Sequence, residues 1–307
     1  DLIVTGVQTC ALPISGARLT SPGRIAPRFC LHGMPDSIRL TILNHHSCEA
    51  VMTQKVALVT GGTGFVGSNL CRRLVRDDWK VHLIATPNDS SALLDDIRDQ
   101  LQIHVHDGSA DNMSSIMAIT KPDVVFHLAS LFLSEHAAND IDRLIVSNVL
   151  FGTQLLDAMA AHGITRFVNT GTSWQHYGNE AYSPVNLYAA TKQAFEDILL
   201  YYVEAKGVQA ITLKLFDTYG PNDPRPKLFH LLEKLAYEGT SLAMSPGKQI
   251  IDLAHVSDVV AAFEVAAHRL VQTHVVGHEG YAISSCPTTW VWTSRWARSE
   301  EHTSQLQ

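Results

Sequence analysis

From about residue 54 onward, short apolar runs alternate with longer stretches in which apolar side chains recur every three or four positions. The runs at 55–60, 81–85, 123–128 and 210–216 are dominated by Val, Ile, Leu, Ala and Phe, and those at 103–106 and 166–170 hold two such residues each. They carry little of the in–out alternation of a half-exposed strand, which predicts strands covered on both faces. Helical spacing at 69–77, 140–162 and 187–206 predicts helices between them. Strands alternating with helices predict an α/β fold with a doubly wound parallel sheet, which binds ligands beyond the carboxyl ends of its strands. Two further stretches, 228–235 and 259–270, are apolar at helical spacing and are expected to face the core.

The two ends do not share this pattern. Residues 1–51 break into fragments punctuated by Gly, Pro, Ser and Arg, and the tail crowds Trp290, Trp292 and Trp296 together without any period. Residues 4–15 (VTGVQTCALPIS) read like a translated sequencing-library adapter, and 298–307 resembles its reverse complement in translation with one change. The expected division is therefore a non-native or disordered lead over 1–51 with Met52 as the native start, a dinucleotide-binding domain over 52–220, a partial substrate lobe over 221–285 and a non-native tail over 286–307.

Composition narrows the function classes. The chain has 307 residues, 46% hydrophobic and 17% charged, with a formal net charge of −7. That is a globular composition, and mild acidity without a basic stripe speaks against nucleic acid. No uncharged apolar run approaches the ~18 residues of a membrane span. Five cysteines, without a CxxC pair, indicate neither a disulfide framework nor a zinc site, and a reducing cytoplasm is the expected setting. Sixteen histidines come without an HExxH or comparable scaffold, so no metal is expected; His104 and His106 simply alternate along a strand.

The first strand runs into Thr60-Gly-Gly-Thr-Gly-Phe-Val-Gly67, with a helix behind it. Gly61 allows the tight turn, Gly64 lets the backbone approach a pyrophosphate, and Gly67 lets the helix pack closely on the sheet. The helix N-terminus, at Phe65 and Val66, offers free N–H groups to phosphate. NAD or NADP is the implied cofactor. Residues 84–88 at the end of the second strand hold neither an acid for a ribose 2′-OH nor an arginine for a 2′-phosphate; nothing there repels NADP, which tilts the reading toward it.

Tyr188-Ala-Ala-Thr-Lys192 places a phenol and an ammonium at i and i+4, on one face of a helix. A neighbouring ammonium favours phenolate, which brings a phenol toward a useful range for proton transfer.

With the TGxxGxxG turn, this YxxxK pair resembles the extended short-chain dehydrogenase/reductase family, the NAD-dependent epimerase/dehydratases, over about 55–285. The resemblance implies a Rossmann-like domain with a small substrate lobe, incomplete here. It implies Tyr188 as acid/base, Lys192 on the nicotinamide ribose, and a third catalytic hydroxyl on Ser173, counted back from Tyr177-Gly178, with Thr172 as the other candidate. It also implies dinucleotide contacts at Gly61, Gly64, Phe65, Val66 and Gly67, at Asp107 and Gly108, at Leu128, Ala129 and Ser130, and at Pro221. Where sugar-nucleotide dehydratases of the family carry Asp-Glu, this chain has Trp174-Gln175, which disfavours dehydration. Asp217 replaces the Asn of the family's F-N-x-Y-G-P run, and Ile251 replaces a phosphate-gripping Arg. Arg225 and Lys227 are the nearest cations for a diphosphate, or else solvated loop charges. Asn148 lies one residue too far from Gly152-Thr153 for its family role to be transferred.

The implied function is an NAD(P)-dependent reductase or epimerase acting on a nucleotide-linked 4-keto-6-deoxy sugar, with a homodimer formed through the Tyr188 helix. The alternatives are a dinucleotide-binding protein without catalysis, or an inactive fragment.

Overall fold

The computed structural model describes residues 54–225, 227–241, 251–272, 275 and 277–284. The expected lead, the tail, and parts of the expected lobe lie outside them. Seven strands form one sheet: β1 (Val56–Thr60), β2 (Lys80–Ala85), β3 (Leu101–Val105), β4 (Val124–His127), β5 (Arg166–Thr172), β6 (Gln209–Leu215) and a strand near the end of the described chain, His278–Ile283. Two short strands, β7 (Asp217–Tyr219) and β8 (Leu253–His255), pair separately, which makes His278–Ile283 β9. The order is β3-β2-β1-β4-β5-β6-β9, and every pairing is parallel. The doubly wound parallel sheet expected from the strand–helix alternation is what forms.

One face is covered by α1 (Phe65–Arg76), with Leu70, Cys71 and Leu74 buried, together with the later helix Val256–Gln272. The other carries α2 (Ala110–Thr120), a composite helix, and a long helix bearing Phe195 and Leu199. The composite helix spans 138–161: a 3-10 turn, α3 (Ile141–Ile145), a π turn at Val146–Leu150, and α4 (Phe151–Ala161). By length and composition it could cross a membrane, but it packs against α2 and the long helix, as a core helix of this sheet does.

The long helix, α5 (Leu187–Lys206), has the bounds its spacing predicts. Asn186 caps its start by accepting from Ala189 N at 2.9 Å, and Gly207 ends it in the left-handed region at φ 74°. In contrast, α1 starts four residues before the stretch predicted for it, because the glycine turn leads straight into Phe65. The spacing also gave no helix over α2. Its polar face is dense, and its start is set instead by Ser109, which accepts from Asn112 N at 3.2 Å.

The helix Val256–Gln272 buries Val259, Val260, Phe263, Ala266, Ala267 and Leu270, as its spacing predicts. The stretch at 228–235 does not face the core. It forms α6 (Leu228–Glu238), which makes Val256–Gln272 α7, and none of its residues is buried. Both faces of the sheet are already covered by other helices, so apolar spacing made an amphipathic helix here without giving it a place inside.

On β2 and β3, His82 Nδ1 and His104 Nε2 lie 2.8 Å apart, and His82 Nε2 is buried without a partner. Burial, with His104 and Lys80 nearby, pushes His82 down to about 4, and burial lowers His104 too. A histidine whose folded pKa is depressed takes up its proton more readily when unfolded. Its neutral-form stability is therefore complete above the unfolded value near 6.5 and is lost as pH falls toward 4. Urea unfolding is expected to show lower stability at pH 5 than at pH 7, and His82→Leu is expected to shrink that difference.

Candidate active site

The sheet order reverses direction between β1 and β4, which opens a crevice at their carboxyl ends. The segments leaving both strands meet there. Thr60, fully buried, accepts from Ala129 N at 3.2 Å through Oγ1, and the same hydroxyl lies 2.9 Å from His127 Nδ1. Gly61 has φ 70°, and a Cβ on it would lie 2.5 Å from Ala129 N. No side chain but hydrogen can sit between the two loops. Gly67 is as constrained: its Cβ would lie 2.1 Å from Gly61 O. Gly62, which carries no part in the glycine pattern read from the sequence, is also constrained: a Cβ on it would lie 2.5 Å from Leu83 Cδ1.

Gly64 is different. Its φ of −82° suits any residue, and a Cβ there would meet only Gly61 O, at 3.4 Å. Protein packing does not require this glycine, whereas a molecule lying against the turn would. No side chain caps α1, so the N–H groups at Phe65, Val66 and Gly67 point outward without a side-chain acceptor. An anionic dinucleotide fits both features. The Phe65 ring itself is buried and lies under the Arg225 guanidinium, 4.6 Å from its centroid; this residue offers its N–H to the cleft, not its ring.

Asn148 pins the far wall. It is 1% exposed and uses its amide fully: Oδ1 accepts from Leu131 N at 2.7 Å and Ser130 Oγ at 3.2 Å, and Nδ2 donates to Leu131 O and Thr191 Oγ1, both at 3.0 Å. It sits in the π turn. A π turn takes one residue more than an α turn, and so absorbs the surplus between Asn148 and Gly152. The spacing that argued against Asn148 in the sequence is compensated in the backbone. Asn186 adds a second tie, donating to Ser134 O at 2.9 Å and Leu133 O at 3.3 Å.

These ties bring α5 to the crevice. Tyr188 is half-buried, edge-on to Phe132 with centroids 5.0 Å apart, and its phenol is hydrogen-bonded with Ser130. Phe132 also packs on Trp174, at 5.6 Å. Lys192 is 3% exposed, and among the described residues its Nζ makes no hydrogen bond. Burial pushes the Tyr188 phenol up to about 12, with the Ser130 bond opposing, and it pushes Lys192 down to about 8 against the pull of Glu196. The sequence reading expected Lys192 to bring the phenol down. In the chain alone desolvation dominates at the phenol.

The strand-end hydroxyls divide clearly. Thr172 is buried and caps the following turn, accepting from Trp174 N at 3.3 Å. Ser173, partly exposed, makes no side-chain hydrogen bond among the described residues. Gln175 points inward and is fully buried.

Asp107 accepts from Ser109 N at 2.8 Å and Ser109 Oγ at 2.7 Å, which holds its carboxyl below the usual range, and Gly108 next to it has φ 93°. Asp89, one residue past the 84–88 stretch that ends β2, folds its carboxylate back onto Thr86 N at 2.7 Å. On the lobe side, Asp217 pairs with Lys227 at 2.7 Å. Arg225 gives Nε and one NH2 group to Asp223 and Thr218, which leaves little of the fork for a diphosphate. Pro221 lies exposed in the loop after β7. Ile251 stands at the edge of the described residues, two positions before β8.

Two glycine variants separate packing from ligand contact. Gly64→Ala is expected to keep stability within about 1 kcal/mol, because an ordinary φ offsets a poorer cap, while dinucleotide binding by calorimetry falls at least tenfold. Gly67→Ala is expected to cost ~1–3 kcal/mol in thermal or urea unfolding, because backbone must move.

Comparison with known proteins agrees with this fold. The family model for the NAD dependent epimerase/dehydratase family matches residues 57–277. CDP-abequose synthase of Yersinia pseudotuberculosis is 24% identical over 206 residues, covering 67% of this chain and 70% of that protein. An uncharacterized UDP-glucose epimerase of Bacillus subtilis is 29% identical over 241 residues, covering 72% and 74%. Among solved structures, UDP-N-acetylglucosamine 4-epimerase from Methanobrevibacter ruminantium shares the fold with a TM-score of 0.66 at 23% identity, covering 76% of this chain and 77% of that one. UDP-glucuronic acid 4-epimerase from Bacillus cereus, solved with NAD, superimposes with a TM-score of 0.64 at 24% identity, covering 75% and 78%. With the glycine turn, the YxxxK helix and a family match over most of its length, the chain belongs to the NAD dependent epimerase/dehydratase family.

Proposed function

We propose that the chain is a nucleotide-sugar reductase or epimerase, in which Tyr188, Lys192 and Ser173 act together on one oxygen of a 4-keto-6-deoxy sugar. The observation that carries this reading is the placement of Tyr188 and Lys192. They lie on one face of a capped helix, tied by Asn148, Thr191 and Asn186 to the loop that adjoins the glycine turn. When bound, the nicotinamide supplies the site for hydride exchange with a sugar carbon. The phenol of Tyr188 holds the proton of the oxygen on that carbon, giving it up as the carbonyl is reduced and taking it as the alcohol is oxidised. Ser173, with its hydroxyl uncommitted, shares the hydrogen bonds to the same oxygen. Lys192, buried and without a hydrogen-bond partner among the described residues, is placed to hold the ribose hydroxyls and to keep positive charge beside the phenol.

Dehydration is disfavoured by what stands beside Ser173. Gln175 is turned into the protein, and Trp174 lies against Phe132, so an aromatic wall occupies the place where carboxylates would be needed. Such a wall suits the C–H face and C6 methyl of a deoxy sugar. At the ribose end, the Asp89 charge beside the end of β2 disfavours a 2′-phosphate. That observation, with relatives solved with NAD, favours NAD over the NADP to which the sequence alone tilted. The dinucleotide domain is assigned to 52–220 on the same reading, but α7 and β9, from the lobe expected over 221–285, cover and extend its sheet, which leaves α6 and the loops beside it for the substrate side. The exposed apolar row Ile141, Ile145, Val146 and Leu150 fits pairing with a second copy.

Tyr188→Phe removes the proton carrier and is expected to lower kcat about 10²–10⁴-fold with a CDP- or UDP-linked 4-keto-6-deoxy sugar, while NAD still binds. Steady loss of reduced nicotinamide marks a reductase, and turnover of the sugar without net change in cofactor marks an epimerase. Unchanged turnover in the Phe variant leaves a dinucleotide-binding protein without this chemistry. NAD is expected to bind more tightly than NADP, and Asp89→Asn to narrow the gap. Sedimentation velocity is expected to show a dimer that Val146→Asp dissociates.

A further inference from the structure

Behind the candidate site lies a buried polar cluster to which the proposed chemistry gives no part. Its centre is Glu196, 5% exposed and one helical turn beyond Lys192 on α5. Its Oε2 accepts from Gln175 Nε2 at 2.7 Å and lies 3.3 Å from Lys214 Nζ on β6. Its Oε1 lies 3.8 Å from His278 Nε2 on β9. Gln175 in turn accepts from Thr172 N at 2.9 Å, which closes the turn that carries Ser173. The seat is closely fitted: a Cβ on Gly171 would lie 2.9 Å from Gln175 Oε1 and 3.0 Å from Lys214 Cγ. Lys214 Nζ also contacts His176 Nε2, beyond the turn.

We propose that Glu196 is a positioning residue: its buried carboxylate ties the Ser173 turn to the helix of Tyr188 and Lys192, and supplies the negative charge that holds the Lys192 ammonium. A carboxylate this deep is costly unless matched, and Lys214 matches it. The other titratable groups around the pair are His127 on β4, His176 after β5 and His278 on β9. Burial lowers all three, so they are neutral near pH 7 and leave Glu196 as the anion acting on Lys192. Glu196 opposes the burial that lowers Lys192, in the sense expected of an opposite charge. This inference rests on the role proposed for Lys192, but it can be read on the amine itself, without substrate or cofactor.

Two substitutions divide the functions of the carboxylate. Glu196→Gln keeps an acceptor for Gln175 and removes the charge; Glu196→Asp keeps the charge and gives up the reach. The Lys192 titration is followed by two-dimensional NMR of ¹³Cε-lysine, its signal assigned by loss in Lys192→Arg, and the turn by hydrogen exchange of residues 172–176. Glu196→Gln is expected to move the Lys192 midpoint down by about one unit, a tenfold loss in proton affinity, with exchange of the turn unchanged. Glu196→Asp is expected to leave the midpoint in place and to speed exchange of the turn at least tenfold. If Glu196→Gln does not fold, Glu196→Gln with Lys214→Met removes the unmatched charge and carries the same expectation. A Lys192 midpoint that stays put without the carboxylate overturns the proposal, as does a turn that exchanges alike in all variants. If the split is seen while Tyr188→Phe turns over normally, this inference stands and the catalytic reading falls.

Discussion

The site depends on one close approach, the backbone of Gly61 against that of Leu128 and Ala129. A parallel sheet that reverses its order between β1 and β4 sends the two following segments away on opposite faces, and the crevice lies between them. Here the gap at its floor is too narrow for a Cβ, and Thr60 closes it by holding Ala129 N and His127 together. Widening that contact would move the glycine turn and the 128–132 wall apart. The phosphate end and the reacting end of a dinucleotide would then lose their common frame.

From this floor the wall is built outward by side chains whose polar groups are nearly all engaged. Asn148 holds Leu131 by both N–H and C=O, and reaches Thr191 on α5; Asn186 holds Leu133 and Ser134 while capping the same helix. These contacts fix where Tyr188 stands. Across the cleft, Gln175 and Glu196 do the same for the turn after β5. Among the described residues, what stays uncommitted is the set of groups that the proposed chemistry would use: the Ser173 hydroxyl, the Lys192 ammonium, and the N–H groups at the start of α1. Rigid, satisfied neighbours around unsatisfied reacting groups are the mark of a preorganised site.

Much of this was legible in the sequence, for physical reasons. Buried parallel strands must be apolar on both faces, so six of the sheet's strands stand out as runs, and a long capped helix such as α5 shows its bounds. The glycines at 61, 64 and 67 and the Tyr188–Lys192 pair are local patterns with local causes. What was hidden depends on contacts far apart in the chain. Asn148 appeared misplaced because a count of residues does not show a π turn. Glu196 carries no local signal on its helix, because its partners on β6 and β9 reach it only through the fold. Apolar spacing in α6 was read as burial, though spacing gives a helix its face and not the neighbour that covers it. A lowered phenol was inferred from the nearness of Lys192, and burial raises it instead.

Hydrogen–deuterium exchange of the full chain, with and without saturating NAD, tests the central claim most directly. The account predicts slowed exchange in three separated segments, 61–68, 128–132 and 187–193, with the remaining described chain little changed. Protection confined to other segments, or none at a concentration where calorimetry shows NAD bound, would contradict the placement of the cofactor between the glycine turn and the Tyr188 helix.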